Sequence, residues 1–580
     1  MKVLKVFLCV LCLAPIVEEA RSQVPTSQPH VGVEQVPLDD NDNVYAYLRH
    51  LSVLGIIEGY SETELPLSEH EVADFLRQAD PAKLSASERE LRAKYLRTYA
   101  HEPNDVVTMF PSKDAEPLFF SGIFTDKDKY LYRWFDDSTN SDLFVHGVGS
   151  LEQRQKTSPS TASVLLANMG GSFSGTLSGH MGYFMQTTNG EKFGNTELAL
   201  EDPLLSKNHN FADFTGQQFF DFTTAELTYN NDWFTGKIAR EAISIGGGYQ
   251  NDNILLSPNV PNYDFLSIGA HVGAVRYQAV LASLVADTVF GSGFPLKYYA
   301  LHDLTFMLGR DLELGFTDIM VFGDRLDLAY LNPFSFLKVV EHGLDDGDKD
   351  NGLLGMHARW RIAPGLEVRG QGLVDDILAS KIGTGDWQNK FAWQFGGMWA
   401  DAFGVSNLDF EAEWMRVEPY TYTHWNTDDD RYTTSQTLLG AQIGPNAMSY
   451  WSMLRWAPSA KWTLSLEGEL VQRGENIYDS TGNLLYNAGA DYNLSMTKEG
   501  NESNTHILNG RRVNVFSLTA NIEFEPWRGL VVFARGTKTS VNYLEGVPVT
   551  PGVNLQGLPV SLAPREFPEA VIAIGARALF

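Results

Sequence analysis

From about residue 117 onward the chain alternates apolar and polar positions with a period of two, and the alternation persists to the C-terminus. Trp462, Leu464, Leu466 and Leu470 fall on one face, with Lys461, Thr463, Ser465, Glu467 and Glu469 on the other. Phe516, Leu518, Ala520, Ile522 and Phe524 oppose Ser517, Thr519, Asn521, Glu523 and Glu525 in the same way. Each run has the length of a tilted membrane-crossing strand, roughly 9–11 residues. Ahead of these strands the period is helical. Val44, Leu48 and Leu51, then Val72, Phe75, Leu76 and Ala79, then Leu91, Tyr95 and Tyr99 predict three short helices over 44–100. Two helix starts carry capping boxes, Ser68 with Glu71 and Ser85 with Glu88. A unit of roughly 55 to 60 residues buries too little surface to be very stable alone, so it is expected to pack on something larger.

A soluble sandwich also has one dry face and one wet face, so alternation alone does not place strands in a membrane. Connection lengths decide the matter. Read back from the C-terminus, the connections run long at 542–568, short at 526–529, long at 475–510, short at 458–460, long at 419–446 and short at 403–405. The parity continues through 376–389, 363–365 and 323–351. Long loops at one end and tight turns at the other predict an all-β transmembrane antiparallel barrel of about 18 strands. Val571 to Phe580 alternates and ends on an aromatic residue, an ending that resembles the signal read by the outer-membrane assembly machinery.

The N-terminus adds an address. Lys2 and Lys5 precede the apolar run Val6 to Ile16, and Ala20-Arg21-Ser22 offers small residues at a cleavage site, so 1–22 reads as a secretory signal. Both cysteines, Cys9 and Cys12, lie within it, which leaves no thiol for a disulfide or a metal in the remainder. Residues 23–43 are polar and proline-containing and read as a linker, 44–115 as a periplasmic helical domain and 116–580 as the barrel. No later stretch of ~18 uncharged apolar residues exists, since Arg276 interrupts the best candidate, Gly269 to Ala286. The net charge of −28 becomes −29 without the signal, and no basic run is present, so nucleic acid is not an expected partner.

Short segments spread along the chain resemble the Wzi-like capsule assembly family of outer-membrane proteins. They include Val44-Tyr45-Ala46-Tyr47-Leu48, Leu65-Pro66-Leu67-Ser68, Leu255-Leu256-Ser257-Pro258-Asn259 and Ala329-Tyr330-Leu331-Asn332-Pro333-Phe334 with Glu341. Further along come Asp350-Asn351 with Leu353-Leu354-Gly355, Asp375-Asp376, Pro419-Tyr420-Thr421-Tyr422-Thr423-His424 and Gly444-Pro445-Asn446. Asp318 stands where the family pattern leads one to expect a glutamate. The resemblance implies an 18-stranded barrel, a periplasmic helical bundle and a part in holding capsular polysaccharide at the cell surface.

Several constellations suggest chemistry. In the loop Glu418 to Tyr432, the aromatic residues Tyr420, Tyr422, His424 and Trp425 interleave with Asp428 and Arg431, and such a mixture can stack on sugar rings and fix their hydroxyls. The competing reading is that these rings pack the loop onto itself. Asp346, Asp348 and Asp350 repeat oxygen ligands at every second position as a calcium loop does, although its glycine and bidentate glutamate are missing. No other cofactor is expected. Asp375-Asp376 and His302-Asp303 are adjacent strand pairs, whose members point to opposite faces and cannot act together unless a bend intervenes. With no Gly-x-Ser-x-Gly elbow and no His-Glu-x-x-His helix, a barrel hydrolase is disfavoured. The sequence therefore predicts a non-enzymatic, monomeric outer-membrane protein with extracellular polysaccharide and outer-membrane lipid as partners. A porin or sugar channel is the alternative, since a barrel of ~16–18 strands can enclose water.

Overall fold

The computed structural model describes residues 31–38, 43–101, 106–113, 115–202, 205, 219–231, 233–250, 252–286, 296–323, 325–343, 350–424, 430–479, 481–494, 506–544 and 565–580. The expected signal segment and Asp346, Asp348, Trp425 and Asp428 lie outside these residues, as does part of the expected linker.

Three helices form where the periodicity places them, α1 (Val44–Leu54), α2 (Glu69–Gln78) and α3 (Ala86–Tyr99). Both capping boxes are made: the Glu71 amide donates to Ser68 and the Glu88 amide to Ser85, while each glutamate accepts from its cap residue's amide. The apolar faces meet in one cluster that includes Leu48, Leu51, Val72, Leu76, Leu91 and Tyr95 and extends onto Ala457. A small parallel sheet of Val106–Thr108, Glu116–Pro117 and Asp128–Tyr130 follows. The barrel strands thus begin at Ser141 and not at 116, with Tyr132–Asp136 paired alongside the first of them.

Eighteen antiparallel strands close the barrel. They are β1 (Ser141–Ser158), β2 (Ala162–Leu177), β3 (Met181–Gly194), β4 (Phe219–Asn230), β5 (Phe234–Glu241), β6 (Tyr263–Val272), β7 (Val275–Val285), β8 (Leu296–Leu308) and β9 (Leu312–Gly323). The second half comprises β10 (Asn351–Ala363), β11 (Leu366–Asp376), β12 (Lys390–Trp399), β13 (Leu408–Val417), β14 (Ala447–Ser459), β15 (Trp462–Glu475), β16 (Arg511–Trp527), β17 (Leu530–Tyr543) and β18 (Arg565–Leu579). Closure is by β18 against β1, and the Phe580 amide adds a bond of 2.9 Å to the Gly147 carbonyl.

The alternation sorts the side chains radially. Leu266, Phe316, Trp360, Phe395, Tyr450, Leu466, Phe516, Ile522 and Ile574 stand exposed on the outer wall, while their neighbours one residue away line the lumen. An outer wall of large apolar groups would be unstable in water and is suited to lipid. Among the described residues no helix is long and apolar enough to cross a membrane. Tight turns such as 273–274, 309–311 and 364–365 share one end with the helices, and the long connections gather at the other.

Candidate functional site

The lumen is the most elaborate part of the molecule, and the chain enters it from both ends. At the tight-turn end, α1 and the segment after it are tied to the wall by guanidinium groups. From β11, Arg369 reaches Glu62, its neighbour Glu367 at 2.7 Å and the Gly247 carbonyl at 2.7 Å, and it lies 4.4 Å from the centre of the Tyr249 ring. From β10, Arg359 donates to Glu367, to the Tyr60 carbonyl and to Ser52 Oγ, each at 2.6 Å. Arg361 donates to the Ser52 carbonyl at 2.7 Å. In the opposite direction, Arg49 of α1 donates to Glu62 at 2.6 Å and to Glu411 of β13 at 3.2 Å. Burial opposes ionisation of Glu62, yet Arg369 and Arg49 hold its carboxyl well below the usual range. Arg359 and Arg361 thus serve as anchors for the helical plug.

His50 makes the second anchor. Its Nδ1 is 2.7 Å from Asp409 Oδ1 on β13, and its Nε2 is 3.1 Å from Glu88 on α3, with Asp401 at 3.8 Å. Burial alone would lower its pKa, but the charge and hydrogen bond of Asp409, with Glu88 and Asp401, push it up to about 10. A raised histidine contributes stability that is complete below its ordinary value near 6.5 and is lost as pH climbs through about 10. The wild-type melting temperature in detergent, followed by tryptophan fluorescence, should therefore fall between pH 7 and pH 10, and His50→Gln should flatten that slope. An unchanged slope in the variant would assign the pH dependence elsewhere.

From the other end, the connection 242–262 folds into the barrel. The Tyr249 amide donates to Glu413 at 2.8 Å and its hydroxyl to Glu367 at 3.1 Å, while Gln394 accepts from the Ile254 amide at 3.1 Å and donates to the Asp252 carbonyl at 2.7 Å. Asp252 accepts from Ser257 Oγ at 2.7 Å and from the Gln442 amide at 2.9 Å, and its burial pushes the carboxyl up to about 7. Above this segment lies a cap built from 418–424 and 430–446. Tyr422 is fully buried, stacks on Tyr432 with ring centres 5.6 Å apart and donates to the Ile254 carbonyl at 2.8 Å.

These contacts correct the expectation that Tyr420 and Tyr422 offer sugar-stacking faces. Tyr420 is also buried, donates to the Asn487 carbonyl at 3.0 Å and meets Trp387 edge-on. His424 is buried as well. Tyr422 thus ties the cap to the luminal segment, and Tyr420 ties it to the loop residue Asn487. Arg431 behaves otherwise. It is part-exposed and donates to the exposed Asn493 at 3.4 Å, next to Tyr492, whose hydroxyl donates to the exposed Gln436 carbonyl at 3.2 Å. The structure thus assembles an outer patch of Arg431, Gln436, Tyr492 and Asn493 from two loops, of which the sequence singled out only Arg431. Of the expected calcium ligands, Asp350 accepts from the Tyr330 hydroxyl. Asp375 and Asp376 do converge, contrary to strict alternation, because the register shifts between Val374 and Asp376. Lys390 sits 2.8 Å from Asp376 and 3.8 Å from Asp375, which makes an ion-paired support for the cap, whose Tyr422 amide donates to Asp375 at 2.6 Å.

One part of the outer wall is covered. Residues 325–343 leave the top of β9 and lie against the wall outside the lumen. Tyr277 donates to the Pro333 carbonyl, the His302 ring is 3.0 Å from the Ser335 carbonyl, and Asp318 accepts from the Leu337 amide at 2.6 Å. Tyr330 and Leu337 are buried against Ala300, Met320 and Phe322, while Phe334 is 94 % exposed. His302 and Asp303 accordingly serve opposite faces, with Asp303 bound to His357 at 3.1 Å inside.

Closure, an apolar girdle and strand number together define an outer-membrane β-barrel. No family model matches the chain and no curated protein matches it. Among solved structures it is similar to Wzi of Escherichia coli, an outer membrane protein involved in group 1 capsule assembly and described as a carbohydrate-binding β-barrel, with a TM-score of 0.53 and 13 % identity over 93 % of this chain and 99 % of that one. It also matches OccK8 (OprE) of Pseudomonas aeruginosa, with a TM-score of 0.41 and 8 % identity over 76 % of this chain and 98 % of that one. OccAB2 of Acinetobacter baumannii gives a TM-score of 0.41 and 10 % identity over 76 % of this chain and 98 % of that one.

Proposed function

We propose that the protein binds extracellular polysaccharide, of the capsular kind, at the cell surface, and that it does so by contact without chemistry. The observation that supports this reading is the filled lumen: helices below, the segment 242–262 within and the cap above occupy the path that a diffusion channel would keep open. The fold shared with a carbohydrate-binding barrel points the same way. The outer patch of Arg431, Gln436, Tyr492 and Asn493 supplies a planar cation, amide groups and an aromatic ring, the groups that recognise hydroxyls and the flat faces of sugars.

Deleting the gene and comparing cell-attached with shed polysaccharide tests the role. Shed polysaccharide should rise, and unchanged retention would overturn the proposal. Complementation with an Arg431→Ala, Tyr492→Ala double variant should restore the barrel but not retention, and purified variant should bind the host's polysaccharide about tenfold more weakly, as expected for ~1.4 kcal/mol lost at a contact patch.

A channel reading has one observation in its favour. Along β15 to β18, lumen residues Glu467, Thr519, Asn521, Arg535 and Thr537 keep part of their surface exposed, whereas those of β8 to β13 are largely buried. Stable conductance steps of wild-type protein in planar bilayers would favour that reading.

A further inference from the structure

A second group of ionisable side chains lies where the N-terminal unit meets the rim of the barrel, apart from the anchors already described. The segment 31–38 runs beside the start of α2: the Glu69 amide donates to the Glu34 carbonyl at 3.0 Å and the His70 amide to the Gly32 carbonyl at 2.8 Å. This pairing sets the Glu34 and Glu69 side chains close together. Thr176, at the end of β2, fixes Glu34 from the other side by donating its hydroxyl to Oε2 at 2.8 Å, and the Thr176 amide donates at 2.5 Å to Asp142 of β1. His101, just beyond α3, stacks on Phe144 with ring centres 4.1 Å apart, and its Nε2 faces Glu69 at 2.5 Å.

One ligand atom each from Glu34, Glu69 and His101 lies within 4.8 Å of the others. Arg133 donates to the His101 carbonyl at 3.1 Å and is the cation beside His101 and Asp142, whereas the charges facing Glu34 are the carboxylates of Glu69 and Asp142. Glu34 and Asp142 are fully buried, and among the described residues Glu34 Oε1, Asp142 Oδ2 and His101 Nδ1 have no hydrogen-bond partner. Buried carboxylate oxygens left without donors are costly, and a divalent cation is the compact way to supply the missing positive charge. Two carboxylates and an imidazole make a mixed oxygen and nitrogen set, which suits zinc and related transition-metal ions better than calcium or magnesium.

We propose that Glu34, Glu69 and His101 bind a divalent transition-metal cation, of which zinc is the type, with Asp142 adding negative charge beside it. A metal there would join three separate pieces of the N-terminal unit, the segment 31–38, the start of α2 and the end of α3, at the point where Glu34 is held to the rim by Thr176 of β2. It would act as a staple within the plug where it meets the barrel and has no part in the polysaccharide contact at the opposite end.

The test uses tag-free, full-length protein in detergent, stripped with EDTA and dialysed. Zinc added alone should bind at one equivalent by calorimetry and by elemental analysis after desalting, and it should raise the melting temperature. Glu34→Gln removes one ligand charge and one unpaired anion, so the metal-free variant should melt no lower than metal-free wild type while its zinc affinity falls at least tenfold. His101→Ala should lose the site as well. Sub-stoichiometric zinc in wild type, or zinc retained by Glu34→Gln at wild-type affinity, would overturn the proposal.

Discussion

Replacing Arg369 with alanine should detach the helical plug from the wall. The substitution leaves Glu62 and Glu367 buried and short of a partner, and removing one member of a buried ion pair costs about 3–5 kcal/mol. Because Arg359 and Arg49 still reach the same carboxylates, the barrel itself should survive and the loss should concentrate in the N-terminal unit. Two measurements follow. Limited proteolysis should cut between α3 and β1 in the variant at protease concentrations that spare the wild type, and planar bilayers should show larger and more frequent conductance events. Arg369→Lys should recover little, since a single ammonium cannot reach Glu62, Glu367 and the Gly247 carbonyl together. A variant as protease-resistant as wild type, with conductance unchanged from it, would show that the anchors are not what holds the plug.

A second large effect is expected at Tyr422. Truncation to alanine removes a fully buried ring stacked on Tyr432 and deletes the hydroxyl that binds the Ile254 carbonyl. Losses of about 3–5 kcal/mol are usual for a large aromatic side chain cut to alanine in a core. Tyr422→Phe should cost about 1 kcal/mol, the net worth of one hydrogen bond. The cap should loosen in the alanine variant, with faster amide exchange in 418–424, 430–446 and 252–257, while the helices at the far end keep their protection. Equal exchange in both variants would mean that Tyr422 does not hold cap and luminal segment together.

The barrel was legible because two signals recur along the chain. Alternation such as Phe516 to Glu525 is dictated by lipid on one side and lumen on the other, and the long and short connections reflect the two ends. The helices were legible through local chemistry, the serine and glutamate of each capping box. What could not be read was where polar groups find one another across the lumen. Arg359 and Arg361 fall on one face of their strand, yet nothing nearby in sequence marks Ser52 or Tyr60 as their partners, or Glu62 as the partner of Arg49 and Arg369. The segment 242–262 looks like an ordinary loop around Gly246-Gly247-Gly248, and only its Tyr249, Asp252 and Asn253 contacts show that it turns inward. At Tyr420 and Tyr422 the aromatic and polar mixture fits a sugar platform and a buried hinge equally well, and burial, which decides between them, is a tertiary property. Asp375-Asp376 failed for a different reason: a one-residue shift in register breaks the parity on which the argument rested.

The anchors of the plug also bear on how the chain reaches its native state. Arg49 meets Glu411 across 362 positions and Glu62 meets Arg369 across 307, so the earliest-synthesised part of the described chain closes its contacts with strands made much later. Contacts so remote in sequence form slowly, because a long loop must be ordered before any of them is gained. These wall partners of α1 and the segment after it lie on β11 and β13, so the anchoring contacts close only after those strands have taken their places, and the plug is the last part of this structure to be fixed.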